Sequence, residues 1–359
     1  MFGERHYVPV LKWKRGEQKA LELLDPKWKT RCTPLIEVMP VPWDHANDCP
    51  AKNVEEHLRN IGEQIIGAWS ADNPVFLDLC WLDPSERMHD GSHPLDYVMN
   101  GCRSKSARAI PVTGLERDAQ YQEAVKRAYR EDGFGVCLRL EDADFLNLDS
   151  IPSFLGNLEI TPQFTDLVVD FKYVISGDER KNVLSIITVL NSMPYIEDWR
   201  TLTICASAFP ENLGSISPSS TDIIVRSEWI IWNELRNLKG RIKRLPTFGD
   251  YAIAGPSYVD IDPRIMQMSA NIRYTVEDAY LIFKGKTIKK HGWEQIHNMC
   301  DDLVNDARYC GKDFCYGDNY IHECACRAGS TGNAETWRRA GTNHHLTFVS
   351  TKIASLYGI

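Results

Sequence analysis

The sequence predicts a (β/α)8 TIM-like barrel followed by a C-terminal α+β extension. Eight short apolar runs with strand composition are spaced through the first 260 of its 359 residues, and helical patterns separate most of them. Such an alternation leaves two arrangements, a closed barrel or an open doubly wound sheet. Eight units, and no GxGxxG loop after the first run, favour the barrel. The runs occupy residues 7–14, 33–40, 74–80, 108–115, 135–142, 166–174, 201–209 and 245–254.

The segments between the runs have the spacing of amphipathic helices. Val54, Leu58 and Ile65, for example, recur at intervals that place them on one face of a helix. The segment 149–159, after the fifth run, contains a proline and a glycine and is the weakest of the predicted helices. The runs themselves are almost continuously apolar, as expected of strands that are covered on both faces.

The pattern changes after about residue 260, and we divide the chain into a barrel over 1–270 and an extension over 271–359 that packs on it. The extension begins with a predicted β-hairpin over 271–286, which an amphipathic helix follows. A Cys- and Gly-rich loop over 313–333 comes next. A short helix then leads to a predicted strand, HHLTFV, at 344–349.

Composition excludes several classes of protein. A net charge of −8 argues against a protein that coats nucleic acid, which would carry a basic excess. No uncharged apolar run reaches the roughly 18 residues of a membrane span, and no apolar export signal is recognisable at the start. The eleven cysteines are an odd number, which fits reduced thiols. We therefore predict a cytoplasmic protein with no membrane partner.

Charged residues lie within the apolar runs or at their ends, where barrel proteins place their sites. A charge flanked by outward-facing apolar neighbours points into the barrel, because side chains alternate along a strand. Asp250 follows a glycine at the end of the eighth run. The remaining candidates are four cations, Lys12, Lys14, Arg139 and Lys172, and four carboxylates, Glu37, Asp78, Glu141 and Asp170.

These charges have two interpretations, and the sequence leaves both open. In the first they form a working site at the barrel mouth, where the carboxylates act as acid or base or hold Mg²⁺. The candidate catalytic residues are then Lys14, Glu37, Asp78 and Asp170, and the candidate ligand-binding residues are Lys12, Arg139, Glu141, Lys172 and Asp250. In the second interpretation the four cations and four carboxylates neutralise each other as a structural ion-pair network.

The block GNAETWRRAGTNHH adds five candidate ligand-binding residues. Asn333 would begin a helix, and helix N-termini favour anions. Trp337 and Arg338 supply a stacking surface and a forked donor for a planar or anionic ligand. His344 and His345, if they lie on a strand, point to opposite faces, so only one of them can face a site.

No cofactor is predicted apart from the Mg²⁺ that the mouth carboxylates could hold, and no zinc site is predicted. Cys310, Cys315, Cys324 and Cys326 do not have the paired CxxC spacing of a zinc ribbon, so they are interpreted as free thiols. The sequence also lacks a Walker A motif, a GxSxG elbow and an HExxH motif.

Four blocks in order, YVPVLKWKRGEQKAL, PLIEV, IRYTVEDAYLIFKGK and GNAETWRRAGTNHHLTFV, resemble the Beta protein family of satellite phages, prophages and bacteria. The resemblance implies a role in phage–host conflict, as an antitoxin-like partner of a toxic gene product encoded nearby in a defence locus. It implies no catalytic residues.

Three functions follow from the charges and the resemblance together. The first is an antitoxin-like partner that neutralises or regulates an adjacent toxin or defence gene product through a barrel-mouth site, with a small anion as ligand. The second is a barrel hydrolase that acts on a phosphate-containing or nucleotide-like ligand. The third is a sensor of a phage component.

Overall fold

The computed structural model describes residues 2–262, 264, 265 and 267–358. Its strands, in chain order, are β1 (Tyr7–Lys12), β2 (Leu35–Glu37), β3 (Trp43–Asp44), β4 (Cys49–Pro50), β5 (Val75–Asp78), β6 (Ala109–Thr113), β7 (Val136–Leu140), β8 (Thr165–Tyr173), β9 (Thr201–Ser207), β10 (Ser220–Val225), β11 (Thr247–Asp250), β12 (Ser269–Thr275) and β13 (Ala279–Thr287).

The helices are α1 (Arg15–Glu22), α2 (Pro26–Lys29), α3 (Val54–Leu58), α4 (Ile61–Ala68), α5 (Pro94–Ser104), α6 (Ala119–Asp132), α7 (Ile151–Leu158), α8 (Glu179–Ser192), α9 (Ser227–Asn237), α10 (Ile288–His291), α11 (Gln295–Val304), α12 (Tyr316–Ala325) and α13 (Ala334–Tyr357). Single 3₁₀ turns lie at Asp144–Leu146, Leu148–Ser150, Pro162–Phe164 and Lys239–Arg241. Within the described ranges, no helix has both the length and the apolar character needed to cross a bilayer.

Eight parallel strands close into a barrel in the order β1-β11-β9-β8-β7-β6-β5-β2. Each of the eight predicted runs overlaps one of these strands, so the predicted barrel is confirmed. Helices stand between most successive strands, including α7 in the weakly predicted segment. Pro152 lies in the first turn of α7, where a backbone N–H has no hydrogen-bond partner within the helix, so the lack of an N–H costs nothing.

The interior of the barrel explains where its charges lie. An apolar cluster fills the inside with side chains such as Val10, Leu35, Phe76, Cys137 and Val168. In each of these strands, the charged residue of the mouth follows two positions later and so has the same orientation as the apolar side chain. The alternate positions pack outward in a second and larger apolar cluster against the helices.

The extension is built around a three-stranded antiparallel sheet in the order β10-β13-β12. The hairpin predicted over 271–286 is present as β12 and β13. The third strand, β10, comes from the chain between barrel strands β9 and β11, so the extension includes a segment from the predicted barrel region. α11, α12 and α13 complete this part of the protein, and they pack on the sheet and on each other.

The strand predicted at 344–349 is wrong, because these residues lie in the middle of the 24-residue helix α13. The apolar and aromatic run at Leu346–Val349 reflects a helix that is buried around most of its circumference. The predicted Cys-rich loop likewise contains α12. Gly317, one of the glycines that indicated a loop, lies where two helices meet: a Cβ there would be 2.2 Å from the carbonyl oxygen of Ala340.

Candidate functional site

Arg139 lies at the centre of the barrel mouth and is almost completely buried, with 2% of its surface exposed. Its guanidinium donates to Asp170 Oδ2 through Nε (2.9 Å) and Nη2 (2.7 Å), and to Asp78 Oδ2 through Nη1 (2.8 Å). Nη2 also donates to Glu37 Oε1 at 2.9 Å and to the hydroxyl of Tyr251 at 2.7 Å. One arginine from β7 therefore binds carboxylates from β2, β5 and β8.

The other carboxylate oxygens around Arg139 are also bonded. Arg117 Nη2 donates to Asp78 Oδ1 at 2.9 Å, and Trp81 Nε1 donates to Glu37 Oε2 at 3.0 Å. The backbone N–H of Lys172 donates to Oδ1 of Asp170 at 2.9 Å. All six oxygens of the three buried carboxylates thus accept a hydrogen bond from the chain.

Lys172 extends the network to the rim. Its Nζ lies 2.8 Å from Glu141 Oε1 and 3.6 Å from Asp170 Oδ2. Burial by itself would raise the pKa of Asp170, but the charges of Arg139 and Lys172 and the Tyr251 hydroxyl lower it below its usual value. Asp170 is accordingly an ionised partner of two cations, which suits a structural carboxylate better than a proton donor.

Six of the eight charges predicted for the mouth therefore assemble, and Lys12 and Lys14 do not, since the Nζ of Lys12 donates to the Gly255 carbonyl. Glu37, Asp78, Arg139, Glu141, Asp170 and Lys172 come together. Lys14 does not join them, because β1 ends at Lys12 and Lys14 precedes the first residue of α1. Arg117 takes its place from the loop after β6, where no strand periodicity indicated it. A pocket of about 310 Å³ lies above this network.

Asp250 belongs to a second buried network, which joins the barrel to α13. Its Oδ1 accepts from the Tyr7 hydroxyl at 2.5 Å and from the Ala252 N–H at 2.9 Å, and Oδ2 lies 2.9 Å from His345 Nε2. Arg226 is 3.9 Å away. Burial opposes ionisation of Asp250, but His345, Arg226 and Tyr7 lower its pKa. These contacts satisfy Asp250 and His345 within the protein.

His344 is one residue further back on α13 and points into the extension. Its Nδ1 lies 2.8 Å from Asp318 Oδ2, and its Nε2 lies 2.8 Å from the carbonyl oxygen of Thr275. The two histidines therefore serve two different carboxylates on separate sides of one helix.

A larger pocket, of about 600 Å³, lies beside the mouth between the end of β1, the first turn of α1, β12 and the first turn of α13. We call it the cationic pocket. Its charged lining consists of five cations, Lys12, Lys14, Arg15, Arg273 and Arg338, and two carboxylates, Glu17 and Glu335. The formal excess is three positive charges.

Most of these cations have no acidic partner. Arg338 lies 3.5 Å from Glu17 Oε1. By contrast, among the described residues no carboxylate oxygen lies within 4 Å of Lys12, Lys14, Arg15 or Arg273. The Nζ of Lys12 donates to the Gly255 carbonyl at 2.6 Å instead, and Nη1 of Arg273 donates to the Ile253 carbonyl at 2.7 Å.

Burial in the pocket lowers the pKa values of two of its cations. Burial lowers the pKa of Lys12 to about 8, although Glu37 acts in the opposite direction. Burial and the neighbouring charge of Arg338 also lower the pKa of Arg273. Because a guanidinium stays protonated, Arg273 remains a cation held at a cost, which a bound anion would offset.

Local sequence explains why these residues meet. Gly16, in the first turn of α1, has no room for a side chain, because a Cβ would lie 2.7 Å from Arg338 Cγ. The block KWKRG is therefore packed directly against ETWRR. Asn333 caps α13 by accepting from the Thr336 N–H at 3.1 Å, and Trp337 donates to the Thr331 carbonyl at 2.8 Å.

The four remaining predicted ligand-binding residues lie in or next to the cationic pocket. Lys12, Trp337 and Arg338 line the cationic pocket, together with Lys14. Asn333 acts as the helix cap next to it. Arg15 and Arg273 were not predicted. The sequence did offer one signal for Arg273, which is a charge between two apolar residues, Ile272 and Tyr274, of the predicted hairpin.

The four cysteines weighed as zinc ligands do not converge. Cys315 Sγ contacts Asp318, Cys324 Sγ lies 3.6 Å from His297 Nδ1, and Cys326 Sγ lies 3.7 Å from His322 Nε2. A hydrogen bond from Cys300 lowers the pKa of Cys324 to about 7.

Several solved barrel structures are similar to this chain at low identity. A mutant tryptophan synthase alpha-subunit from Pyrococcus furiosus is 11% identical over 70% of this chain and 89% of its own, with a TM-score of 0.39. A type I 3-dehydroquinate dehydratase from Clostridium difficile is 12% identical over 69% and 85%, also with a TM-score of 0.39. Triosephosphate isomerase from Bartonella henselae is 13% identical over 69% and 93%, with a TM-score of 0.33. These similarities carry no information on ligand or reaction.

No curated protein sequence matches the chain. A family model does match, and it covers residues 7–351, from the first barrel strand to the last turns of α13. The span includes both buried networks and the whole lining of the cationic pocket. On that match over nearly its full length, the chain belongs to the Beta protein family.

Proposed function

We propose that this protein is a binding module for a small phosphate-bearing anion, which it holds in the cationic pocket. One observation carries the proposal: four cations line a single 600 Å³ pocket without a carboxylate partner among the described residues. Phosphate groups suit such a lining, because Arg and Lys bind them with charge-assisted hydrogen bonds. The indoles of Trp293 and Trp337 also line the pocket and would suit a planar group on the ligand.

The hydrogen bonds of the barrel mouth argue against catalysis by its carboxylates. A catalytic carboxylate needs a free oxygen or a proton to transfer, and Glu37, Asp78 and Asp170 have every oxygen occupied. The mouth carboxylates are therefore engaged in structural hydrogen bonds next to the cationic pocket.

Affinity for phosphate-bearing anions should depend strongly on Arg273. We expect wild-type protein to bind ATP more tightly than pyrophosphate and pyrophosphate more tightly than inorganic phosphate, with affinity falling as salt is added. Arg273→Met should weaken binding roughly 10- to 100-fold, the effect of losing about 1.5–3 kcal/mol of charged hydrogen bonding. Isothermal titration calorimetry measures both results. The matched control is Arg180→Met, on the exposed side of α8.

The same variant separates a binding role of Arg273 from a structural one. Since Arg273 has no acidic partner, Arg273→Met should leave the Tm unchanged or raise it while affinity falls. A lowered Tm with unchanged affinity would assign Arg273 to the fold. Failure of wild-type protein to bind any of the three anions would refute the proposal.

A second candidate, a hydrolase working in the same pocket, is favoured by one acid–base pair. Glu17 is buried, and burial raises its pKa despite the charge of Arg338, whereas the pKa of Lys12 is lowered to about 8. Two groups with pKa values pushed toward neutrality are typical of general acid–base chemistry. Turnover of bound ATP or pyrophosphate that disappears in Lys12→Arg would support this candidate, and intact ligand after prolonged incubation would exclude it for these substrates.

We also propose an antitoxin-like use of the pocket, in which anion binding controls association with the toxic product of an adjacent gene. Support comes from the family and from the mouth, whose buried carboxylates are all hydrogen-bonded within the protein. On co-expression, wild-type protein should rescue growth and co-purify with that product, and Arg117→Ala, at the mouth rim, should do the same. Arg273→Met should weaken both effects. Rescue without a complex would instead support removal of a signal, and loss of rescue in Arg117→Ala would assign the interaction to the mouth.

A further inference from the structure

Cys315, Asp318 and His344 form a compact group in the extension, and none of them lines the cationic pocket. Cys315 Sγ lies 2.9 Å from Asp318 Oδ2, and His344 Nδ1 lies 2.8 Å from the same oxygen. One donor atom from each residue falls within 4.8 Å of the other two. Asp318 and His344 are fully buried, and Cys315 is half-buried.

The hydrogen bonds of His344 require a second proton or a metal ion in this group. Its Nε2 faces the Thr275 carbonyl, which can only accept, so Nε2 carries a proton. In the neutral ring Nδ1 is then an acceptor, yet it faces the carboxylate of Asp318, which is also an acceptor. Either a second proton or a metal ion has to lie between these two atoms.

The net charge of the group is the same whether it holds protons or a divalent metal ion. With protons, an imidazolium and a carboxylate cancel beside a neutral thiol. With a divalent metal, a thiolate and a carboxylate balance the ion beside a neutral imidazole. One metal ion can therefore replace two protons without placing net charge in a buried site, which is the main cost of such a replacement.

We propose that Cys315, Asp318 and His344 bind zinc. Thiolate, imidazole and carboxylate are the ligands that zinc takes in proteins. Outer partners are present for two of them: the Thr275 carbonyl on His344, and the Tyr274 hydroxyl, which donates to Asp318 Oδ1 at 2.7 Å. With metal bonds of about 2.0 Å in tetrahedral geometry, the oxygen and nitrogen donors would separate to roughly 3.3 Å, a movement of about half an ångström.

Access to the site comes through Cys315. A cleft of about 500 Å³ is lined by Cys315, Tyr316 and Thr347 on one side and by Trp28 with its neighbours in α2 on the other. Metal can enter from this cleft, and a water molecule in it would supply the fourth ligand. Three protein ligands with one open position are characteristic of reactive zinc sites.

The test uses the full chain, stripped of metal with a chelator and titrated with Co²⁺ and then Zn²⁺. We expect one Co²⁺ per chain with a thiolate charge-transfer absorption in the near ultraviolet, displaced by Zn²⁺. Cys315→Ser should lose the absorption, and Asp318→Asn and His344→Gln should weaken binding at least 10-fold. Cys326→Ser, which changes an exposed cysteine next to His322, is the matched control and should bind as the wild type does.

A second measurement follows protons and does not depend on how stable each variant is. Zn²⁺ binding to wild-type protein should release about two protons, measured by calorimetry in buffers of different ionisation enthalpy. Zn²⁺ should also raise the Tm of the wild type and leave that of Cys315→Ser unchanged. Absorption that persists in Cys315→Ser, binding without proton release, or no binding to the wild type would overturn the proposal.

Discussion

Replacing Arg139 by methionine is expected to lower the free energy of unfolding by roughly 3–5 kcal/mol at neutral pH, the cost of leaving buried charges unpaired. Arg139 is bonded to three carboxylates that have no exposed surface, Glu37, Asp78 and Asp170. Methionine would fill much of the volume but would leave these carboxylates facing each other. Urea denaturation followed by circular dichroism measures the change. Arg117→Ala is the control and should cost less, because Arg117 is 21% exposed and bonds to one carboxylate.

The free energy of unfolding should depend on pH with opposite signs in the wild type and in Arg139→Met. In the wild type the pKa of Asp170 is lowered in the folded state, so its contribution is present at neutral pH and is lost as pH falls through that pKa. Without Arg139 the three buried carboxylates repel each other when ionised, so the variant should lose stability as pH rises. The difference between wild type and variant should therefore be smaller at pH 5 than at pH 8.

Asp170→Asn tests more directly whether Arg139 stabilises the fold through its charge. In the wild type this change should be destabilising, because it removes an ionised partner of Arg139. In Arg139→Met it should restore stability, because it removes one of three buried carboxylates that then repel each other. A destabilising effect of similar size in both backgrounds would mean that Arg139 acts through packing and not through charge.

Asp250→Ala is expected to cost about 3 kcal/mol and to loosen α13 from the barrel. The change leaves the Tyr7 hydroxyl and the His345 ring without their shared acceptor. It also removes one of the two carboxylates that lie near Arg226 among the described residues, which leaves Glu228 at 3.7 Å. Hydrogen exchange should accelerate along α13 more than along the barrel strands on the far side. Asp222→Ala, on the exposed face of β10, is the control and should change stability by about 0.5 kcal/mol or less.

Acid should weaken the same network in the wild type. The pKa values of both Asp250 and His345 are lowered in the folded state, the latter by burial despite the Asp250 charge. The unfolded chain therefore binds protons more readily at both groups, and stability should fall as pH drops below about 6.5 and again near 4. A lower stability at pH 8 than at pH 6 would contradict this assignment.

The barrel could be predicted because its signals are local. A strand buried on both faces is a short apolar run, and alternation along it decides which charges point inward. This reasoning placed Glu37, Asp78, Arg139 and Asp170 in one constellation. It failed for Lys14, which lies beyond the end of its strand, and for Arg117, whose loop has no periodicity. The same local reasoning assigned Leu346–Val349 to a strand, because an apolar run is compatible with any element that is buried on all sides.

What only the tertiary structure decided is which distant residues meet. In the cationic pocket, Lys12 and Lys14 lie near Arg338 because α13 packs closely on Gly16. Arg273 lines the same pocket from β12, which is far from Lys12 and Lys14 in the sequence. The zinc candidate likewise joins α12 to the middle of α13. Sequence by itself determined the barrel, its inward charges and the residue types available for binding, since these depend on the local periodicity of the chain. Which charges are neutralised and which are left without a partner depends on packing between segments hundreds of residues apart, and no local pattern encodes that.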